Sequence, residues 1–231
     1  MLQEIRRTLK SEGMVIHPIK TRAPYIRGYG FTPEVVFDVG VAQGTPWLYR
    51  SFPEAQFVLI DPQESSAEAV RARGLLKDFH FHATALGAQE GRATLMVPHS
   101  DKGEQVAMAS LKRRTDKLAK NFTKTDTHYV SVKPLDEIAV AYPGRVGLKI
   151  DTEGSELEVL TGARETLQRC DFAILELSVT QRFAGVGLPS QAIALLAEAG
   201  LEWRDVLSIG SGPGKRAQPR YMDVLFTRWT S

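Results

Sequence analysis

Gly147-Leu148-Lys149-Ile150-Asp151-Thr152-Glu153-Gly154-Ser155-Glu156 decides the fold of this chain. A short apolar run, which predicts a strand, stops at two carboxylates one residue apart, and a glycine-opened helix follows at once. Open parallel sheets bind their ligands just beyond the carboxyl ends of the strands. Acids placed there point to chemistry.

Working outward, the same strand–helix unit recurs. Strands are predicted at 35–39, 57–61, 79–83, 172–177 and 221–226. Helices are predicted from the Thr45-Pro46 cap through Tyr49, from Ser65 or Ser66 to near Gly74, from the acidic stretch through Leu167, and from Pro189-Ser190 to Gly200. Residues 93–97 and 129–132 read as extra strands flanking a polar insertion at about 98–128. Leu2, Ile5 and Leu9 share one face of an N-terminal helix that Gly13 ends, and the stretch to Pro33 reads as irregular cover. The expected organisation is therefore a covering segment over 1–34 and one domain over 35–231. Repeated strand–helix units predict an α/β fold, a mostly parallel sheet with helices on both faces.

Composition narrows the function. In 231 residues, 29 Lys and Arg stand against 27 Asp and Glu, a net charge of +2, so no global field for nucleic acid or membrane is expected. A single cysteine, Cys170, excludes an internal disulfide and a cysteine-rich metal site, which suits a reducing compartment. The first residues lack an apolar signal core, and no apolar run approaches the roughly 18 residues of a membrane span. A cytoplasmic protein is expected, with a homo-oligomer left open.

The loop Gly40-Val41-Ala42-Gln43-Gly44 between the first strand and its helix suits a nucleotide, because glycines admit a ligand close to the backbone. Asp61 ends the next strand about 20 residues on, where an acid can accept both hydroxyls of a ribose. The spacing is Gly-x-x-x-Gly, without the Gly-x-Gly-x-x-Gly of a pyrophosphate site or a phosphate-cradling Gly-Lys-Ser/Thr. S-adenosylmethionine, with a ribose and a carboxylate but no phosphate, fits best among the common ligands. The competing reading is a plain turn into a packed helix.

Together these residues resemble the FkbM family of S-adenosylmethionine-dependent methyltransferases, from about Val35 to Leu177. The most specific block is Leu148 to Ala163, which carries the family's Lys-Ile-Asp-x-Glu-Gly-x-Glu signature. Asp38-Val39-Gly40, Gly44, Asp61-Pro62, Ala85-Leu86-Gly87, Gly91, Ser110-Leu111 and Leu135-Asp136 support it. Ala42 stands where the family usually has Asn, and Asp61 where it usually has Glu. The resemblance implies a class I, Rossmann-like methyltransferase fold of seven strands with the last antiparallel. It places the cofactor against Asp38, Gly40, Ala42, Gly44, Asp61, Ala85 and Leu86. It also implies methyl transfer, usually to an oxygen of a sugar, glycan or polyketide-type molecule.

An alcohol acceptor must lose a proton, to a positioned base or through metal polarisation. Asp151 is the first candidate for base or metal ligand, followed by Glu153 and Glu176; Asp151 with Glu176 would suit Mg²⁺. Against this, Glu153 can cap a helix and Glu176 can pair with a basic neighbour. His99 is the second-choice base, and His80 with His82 reads as a structural pair. Lys112, Arg113, Arg114, Lys117, Lys120 and Lys124 would line a solvated helix face or a landing strip for an anionic acceptor, with Lys215, Arg216 and Arg220 opposite. Ser110 can contact a ligand or cap a helix. A non-catalytic S-adenosylmethionine-binding module and a methyltransferase for RNA or protein are the alternatives.

Overall fold

The computed structural model describes residues 1–14, 17–211 and 218–229. In chain order the first elements are α1 (Leu2–Ser11), α2 (Ala23–Arg27), β1 (Val35–Val39), α3 (Pro46–Ser51), β2 (Gln56–Ile60), α4 (Glu64–Ala72) and β3 (His80–His82). A second group follows: β4 (Ala85–Leu86), β5 (Gly91–Ser100), β6 (Gly103–Glu104) and β7 (Lys124–Lys133). The chain then continues through α5 (Leu135–Ala139), β8 (Val146–Ile150), α6 (Glu156–Thr161), α7 (Arg164–Gln168), β9 (Cys170–Ser178), α8 (Pro189–Glu198), β10 (Leu201–Ser211) and β11 (Pro219–Arg228).

Seven strands form one mixed sheet in the order β10-β11-β9-β8-β1-β2-β3. β1 pairs in parallel with β2 and β8, β2 with β3, and β8 with β9; β11 alone runs antiparallel to both its neighbours. β1 and β8 are buried along their whole length, as strands covered on both faces must be. Alternate residues feed two cores. Phe37, Ile60, Leu148 and Leu175 pack with Leu160, Leu167 and Leu196 from α6–α8 on one face. Val36, Leu59 and Ile174 pack with Ile26, Leu48 and Val70 from α2–α4 on the other. The strand order reverses between β1 and β8, and chain crossovers there leave a crevice above the sheet.

Four differences from the sequence reading have physical causes. β10 went unread because it is an edge strand whose bulges near Trp203, Val206 and Gly210 break the alternation. α2 forms inside the stretch read as irregular, since Pro24 lies in its first turn, where a missing N–H costs nothing. The helix expected through Leu167 splits into α6 and α7 at Gly162, where a Cβ would come within 2.1 Å of the Gly87 carbonyl oxygen. The insertion is not a helical basic face: β5 and β7 pair as a long antiparallel hairpin, with two 3₁₀ turns at 106–108 and 117–121 between them.

The N-terminal cover is tied to the sheet edge by one acid. Asp205 on β10 accepts hydrogen bonds from Lys20 Nζ (2.5 Å), Tyr25 Oη (2.7 Å) and Tyr29 Oη (2.8 Å). Tyr29 stacks on Phe31, which packs against Phe172 of β9. Among the described residues no helix is long and apolar enough to cross a membrane.

Candidate active site

Strand register builds the site. Val39 is level with Ile60 and Ile150, Ile150 with Leu175, and Glu176 with Asp223. One step further along, Asp61, Gly40, Asp151, Glu176 and Asp223 therefore stand in a single row across five adjoining strands. Backbone bonds continue the ladder into this row, from Gly40 N–H to the Ile60 oxygen (3.0 Å) and from Asp151 N–H to the Val39 oxygen (2.9 Å). The carboxylates expected to share a cleft do share one. Sequence order could not say so, because it does not state which strands are neighbours.

Two sharp turns leave the row. Gly40 has φ +78°, and a Cβ there would lie 1.8 Å from the Asp151 carbonyl oxygen, so only glycine lets the two loops touch. Ala42 follows at φ +46°, a conformation unusual for a residue with a Cβ. Asp61 fixes this turn: Oδ2 accepts from Ala42 N–H (3.0 Å) and Oδ1 from Gln63 N–H (2.8 Å). Burial raises the Asp61 carboxyl's pKa, and these backbone donors oppose the rise. The Gln63 bond also opens α4 at Glu64, so neither Ser65 nor Ser66 caps that helix.

After β8, Glu156 does the equivalent work. Its Oε1 accepts from the N–H of Thr152 (3.0 Å) and Gly154 (3.0 Å) and from the Thr152 hydroxyl (3.1 Å). This buried acid, not Glu153, satisfies the backbone before α6. Glu153 is held at φ +54° and turns elsewhere. Its Oε2 accepts from Arg114 Nη2 (2.7 Å) and Arg182 Nη1 (3.4 Å). Arg182, only 2 % exposed, also bonds Glu176 and, through Nε, the Ser178 hydroxyl (3.0 Å), with its guanidinium between the rings of Phe183 and Tyr221. Burial, then the nearby Asp151 and Glu153, hold the Glu176 carboxyl well above the usual carboxylate range against the pull of Arg182. Neither arginine could be assigned a role from sequence: the pairing partners lie 29 and 39 residues away from Glu153.

Asp151 is different. Its side chain keeps 35 % exposure, and its one ion-pair partner among the described residues is Lys149 Nζ at 3.4 Å. Lys149 is buried and also lies 3.3 Å from Asp38 Oδ1. Burial lowers the Lys149 pKa, but Asp38, Asp151 and Asp223 outweigh that and raise it, so the ammonium stays charged.

Two clefts meet at this point. Gly40, Ala42, Asp61, Ala85, Leu86 and Asp151 line the first, which encloses about 550 Å³ including its open mouth. The second, on the other side of Asp151, is bordered by Trp47, Lys149, Glu153, Glu176 and Asp223. Val106, Ala107 and Ser110 of the insertion roof the first cleft. Ser110 donates to the Glu153 carbonyl oxygen (2.7 Å) and accepts from Lys112 N–H (2.9 Å), so it clamps the insertion onto the acid loop.

Not every candidate reaches the clefts. Asp38 is wholly buried beneath them, accepting from Tyr49 Oη (2.7 Å). Gly44 borders the second cleft only. His99 lies on β5, bonded to Asp126 Oδ2 (2.9 Å) of β7, and lines neither cleft. His82 bonds Tyr142 Oη (2.9 Å) at the sheet edge, beside His80. Lys112 pairs with Glu158 (2.7 Å) and Arg114 turns inward to Glu153, so these cations do not decorate a solvated face. Arg220 pairs with Asp116. Lys215 and Arg216 lie outside the described residues, as does most of the loop from Gly210 to Pro219.

The residues do not fit Mg²⁺. Arg182 occupies Glu176, Lys149 stands against Asp151, and a dication placed between them would face two fixed cations. Among the described residues, no three His, Cys, Asp or Glu side chains are grouped to hold a metal ion.

The family model of the methyltransferase FkbM domain matches residues 38–208, from within β1 into β10. The chain belongs to the FkbM methyltransferase family. No functionally curated protein matches it. Among solved structures it is similar to the magnesium protoporphyrin IX methyltransferase of Synechocystis, at 9% identity over 97% of this chain and 79% of that one, with a TM-score of 0.48. It is also similar to fibrillarin of Aeropyrum pernix (11% identity, 96% and 73% covered, TM-score 0.46). The 1,6-didemethyltoxoflavin-N1-methyltransferase of Burkholderia thailandensis is a third (13%, 89% and 76%, 0.43).

Proposed function

We propose that the protein is a class I methyltransferase that moves the methyl group of S-adenosylmethionine to a hydroxyl of a sugar-like or other small-molecule acceptor. The fold supports this: counting only strands of the large sheet in chain order, the order across it is 3-2-1-4-5-7-6, with strand 7 reversed. Its first five strands follow the doubly wound arrangement that binds nucleotides at the switch point. The observation that carries the reading is the row of residues in which two clefts meet at Asp151.

In this reading the first cleft holds the cofactor. Gly40 leaves room beside the backbone, Ala85 and Leu86 offer an apolar wall, and Asp61 faces the ribose. Both Asp61 oxygens already accept a backbone N–H, and each keeps a second lone pair for a hydroxyl. When bound, S-adenosylmethionine supplies a methyl group on a sulfonium leaving group. The second cleft orients the acceptor, with Trp47 as an apolar face and carboxylates as hydrogen-bond acceptors for its hydroxyls. Asp151 removes the acceptor proton, because Glu153, Glu176, Asp38, Asp61 and Asp223, the last bonded by the Ser208 hydroxyl, are committed to fixed partners, while Asp151 keeps a half-open carboxylate between the clefts. Lys149 orients it without covering it.

Two measurements test this. Asp61→Ala should weaken S-adenosylhomocysteine binding by about tenfold or more, from loss of a charge-assisted bidentate contact and of the bond holding the glycine turn. An unchanged dissociation constant by calorimetry removes Asp61 from the ribose site. Asp151→Asn should lower methyl incorporation into candidate sugar acceptors by roughly 10²–10⁴-fold. Its affinity for S-adenosylhomocysteine should stay within a few-fold, and EDTA should leave wild-type turnover unchanged. Normal turnover in Asp151→Asn would show that the proton leaves by another route.

A further inference from the structure

The insertion contains a pocket that the mechanism above does not use. It lies between β5, β7 and the 108–114 segment, on the far side of the 106–108 turn from the cofactor cleft, and shares Ser110 with that cleft. Its floor is apolar, formed by Met96, Met108 and Phe122, and its walls carry Lys112, Arg113, Arg114 and Lys124. No acid is among its lining residues. Three of these cations have acid partners just outside the lining, so Arg113 is the charge left open to an anion among the described residues.

The cations differ in what they already do. Lys112 and Arg114 are committed to Glu158 and Glu153, and Lys124 has Asp126 at 2.6 Å. Arg113 is exposed and makes no ion pair among the described residues. Arg114 is only 7 % exposed, yet its buried Nε has no hydrogen-bond partner among the described residues. Its guanidinium is taken up by Glu153, Asp116 and Phe183, none of which lines the hollow, and this leaves Arg113 and Lys124 to an anion there.

We propose that this pocket binds an organic phosphate, with an apolar or aromatic body on Met96, Met108 and Phe122 and the phosphate against Arg113 and Lys124. The pocket's chemistry does not rest on the methyltransferase reading. A phosphate on a nucleoside and a phosphate on an isoprenoid satisfy the same walls, and the probes distinguish them.

The test is calorimetric titration of uridine diphosphate, farnesyl diphosphate and inorganic pyrophosphate, separately, into the wild-type protein, Arg113→Glu/Lys124→Glu and Lys102→Glu, with S-adenosylhomocysteine titrated in parallel. Lys102 is an exposed cation of the same insertion that does not line the pocket. One of the two organic diphosphates should bind more tightly than pyrophosphate, and the double charge reversal should weaken it about tenfold or more. Lys102→Glu should bind it as the wild type does. Equal loss in both variants, or pyrophosphate binding as well as either organic probe, would mean a diffuse basic surface and would overturn the site. Failure of all three probes overturns it as well. Failure of S-adenosylhomocysteine to bind the wild type would instead strike the methyltransferase reading and leave the anion result to stand by itself.

Discussion

Gly40→Ala is expected to abolish measurable S-adenosylhomocysteine binding and to lower the melting temperature. The added Cβ would lie 1.8 Å from the Asp151 carbonyl oxygen and 2.7 Å from its carbon, both backbone atoms held in the strand row. The same two residues carry the row's bonds from Asp151 N–H to Val39 (2.9 Å) and from Gly40 N–H to Ile60 (3.0 Å), which a shift of the turn would strain. The left-handed backbone adds about 1–2 kcal/mol for a residue with a Cβ. Gly13→Ala is the comparison: φ is +73° there, with nothing within 4 Å of the added carbon. It should carry only that backbone strain and leave binding unchanged. If Gly40→Ala binds S-adenosylhomocysteine normally, the two turns do not meet as described.

Arg182→Met should give the largest loss of stability. It removes the buried guanidinium that serves Glu176, Glu153 and Ser178 together, leaving Glu176 without its ion-pair partner. Breaking a buried pair by removing one partner costs about 3–5 kcal/mol. For a chain of this length that corresponds to roughly 10 °C in melting temperature. The pH dependence has a definite sign. Burial and the neighbouring acids already hold the folded Glu176 pKa above its unfolded value, and loss of Arg182 raises it further. The cost of that raised pKa is absent below the unfolded carboxylate range, near pH 4, grows as pH rises above it, and levels off above the folded value, about 9 in the wild type. Folded wild type and variant both keep Glu176 protonated up to about pH 9, so the melting difference should stay level from pH 5 to pH 8 and widen above about pH 9. Adding Glu176→Gln should recover part of it, since an amide can be buried without a counterion. No widening above about pH 9, or no recovery in the double variant, would place the damage in packing against Phe183 and Tyr221.

The strand–helix periodicity was readable because burial on both faces demands continuous apolar runs, as in Val35–Val39 and Val146–Ile150. Gly40, Asp61 and Asp151 were readable because each ends such a run, and strand ends are where an α/β sheet exposes its chemistry. β10 was not, since an edge strand broken by bulges leaves no period. Arg114 and Arg182 were not, because an ion pair has no local sequence signature when its partners come from different loops. Glu156 stood in the quoted signature, but its role in closing the Asp151–Ser155 turn needed the backbone path.

The order of strands and loops, the family and the acids at the strand ends thus follow from the sequence, whose local apolar and turn chemistry specifies each unit separately. Which acid is available for chemistry was decided by the tertiary structure. Register set Asp61, Gly40, Asp151, Glu176 and Asp223 in one row, and distant arginines then occupied Glu153 and Glu176. Charge neutralisation depends on distance in space, which sequence separation does not encode.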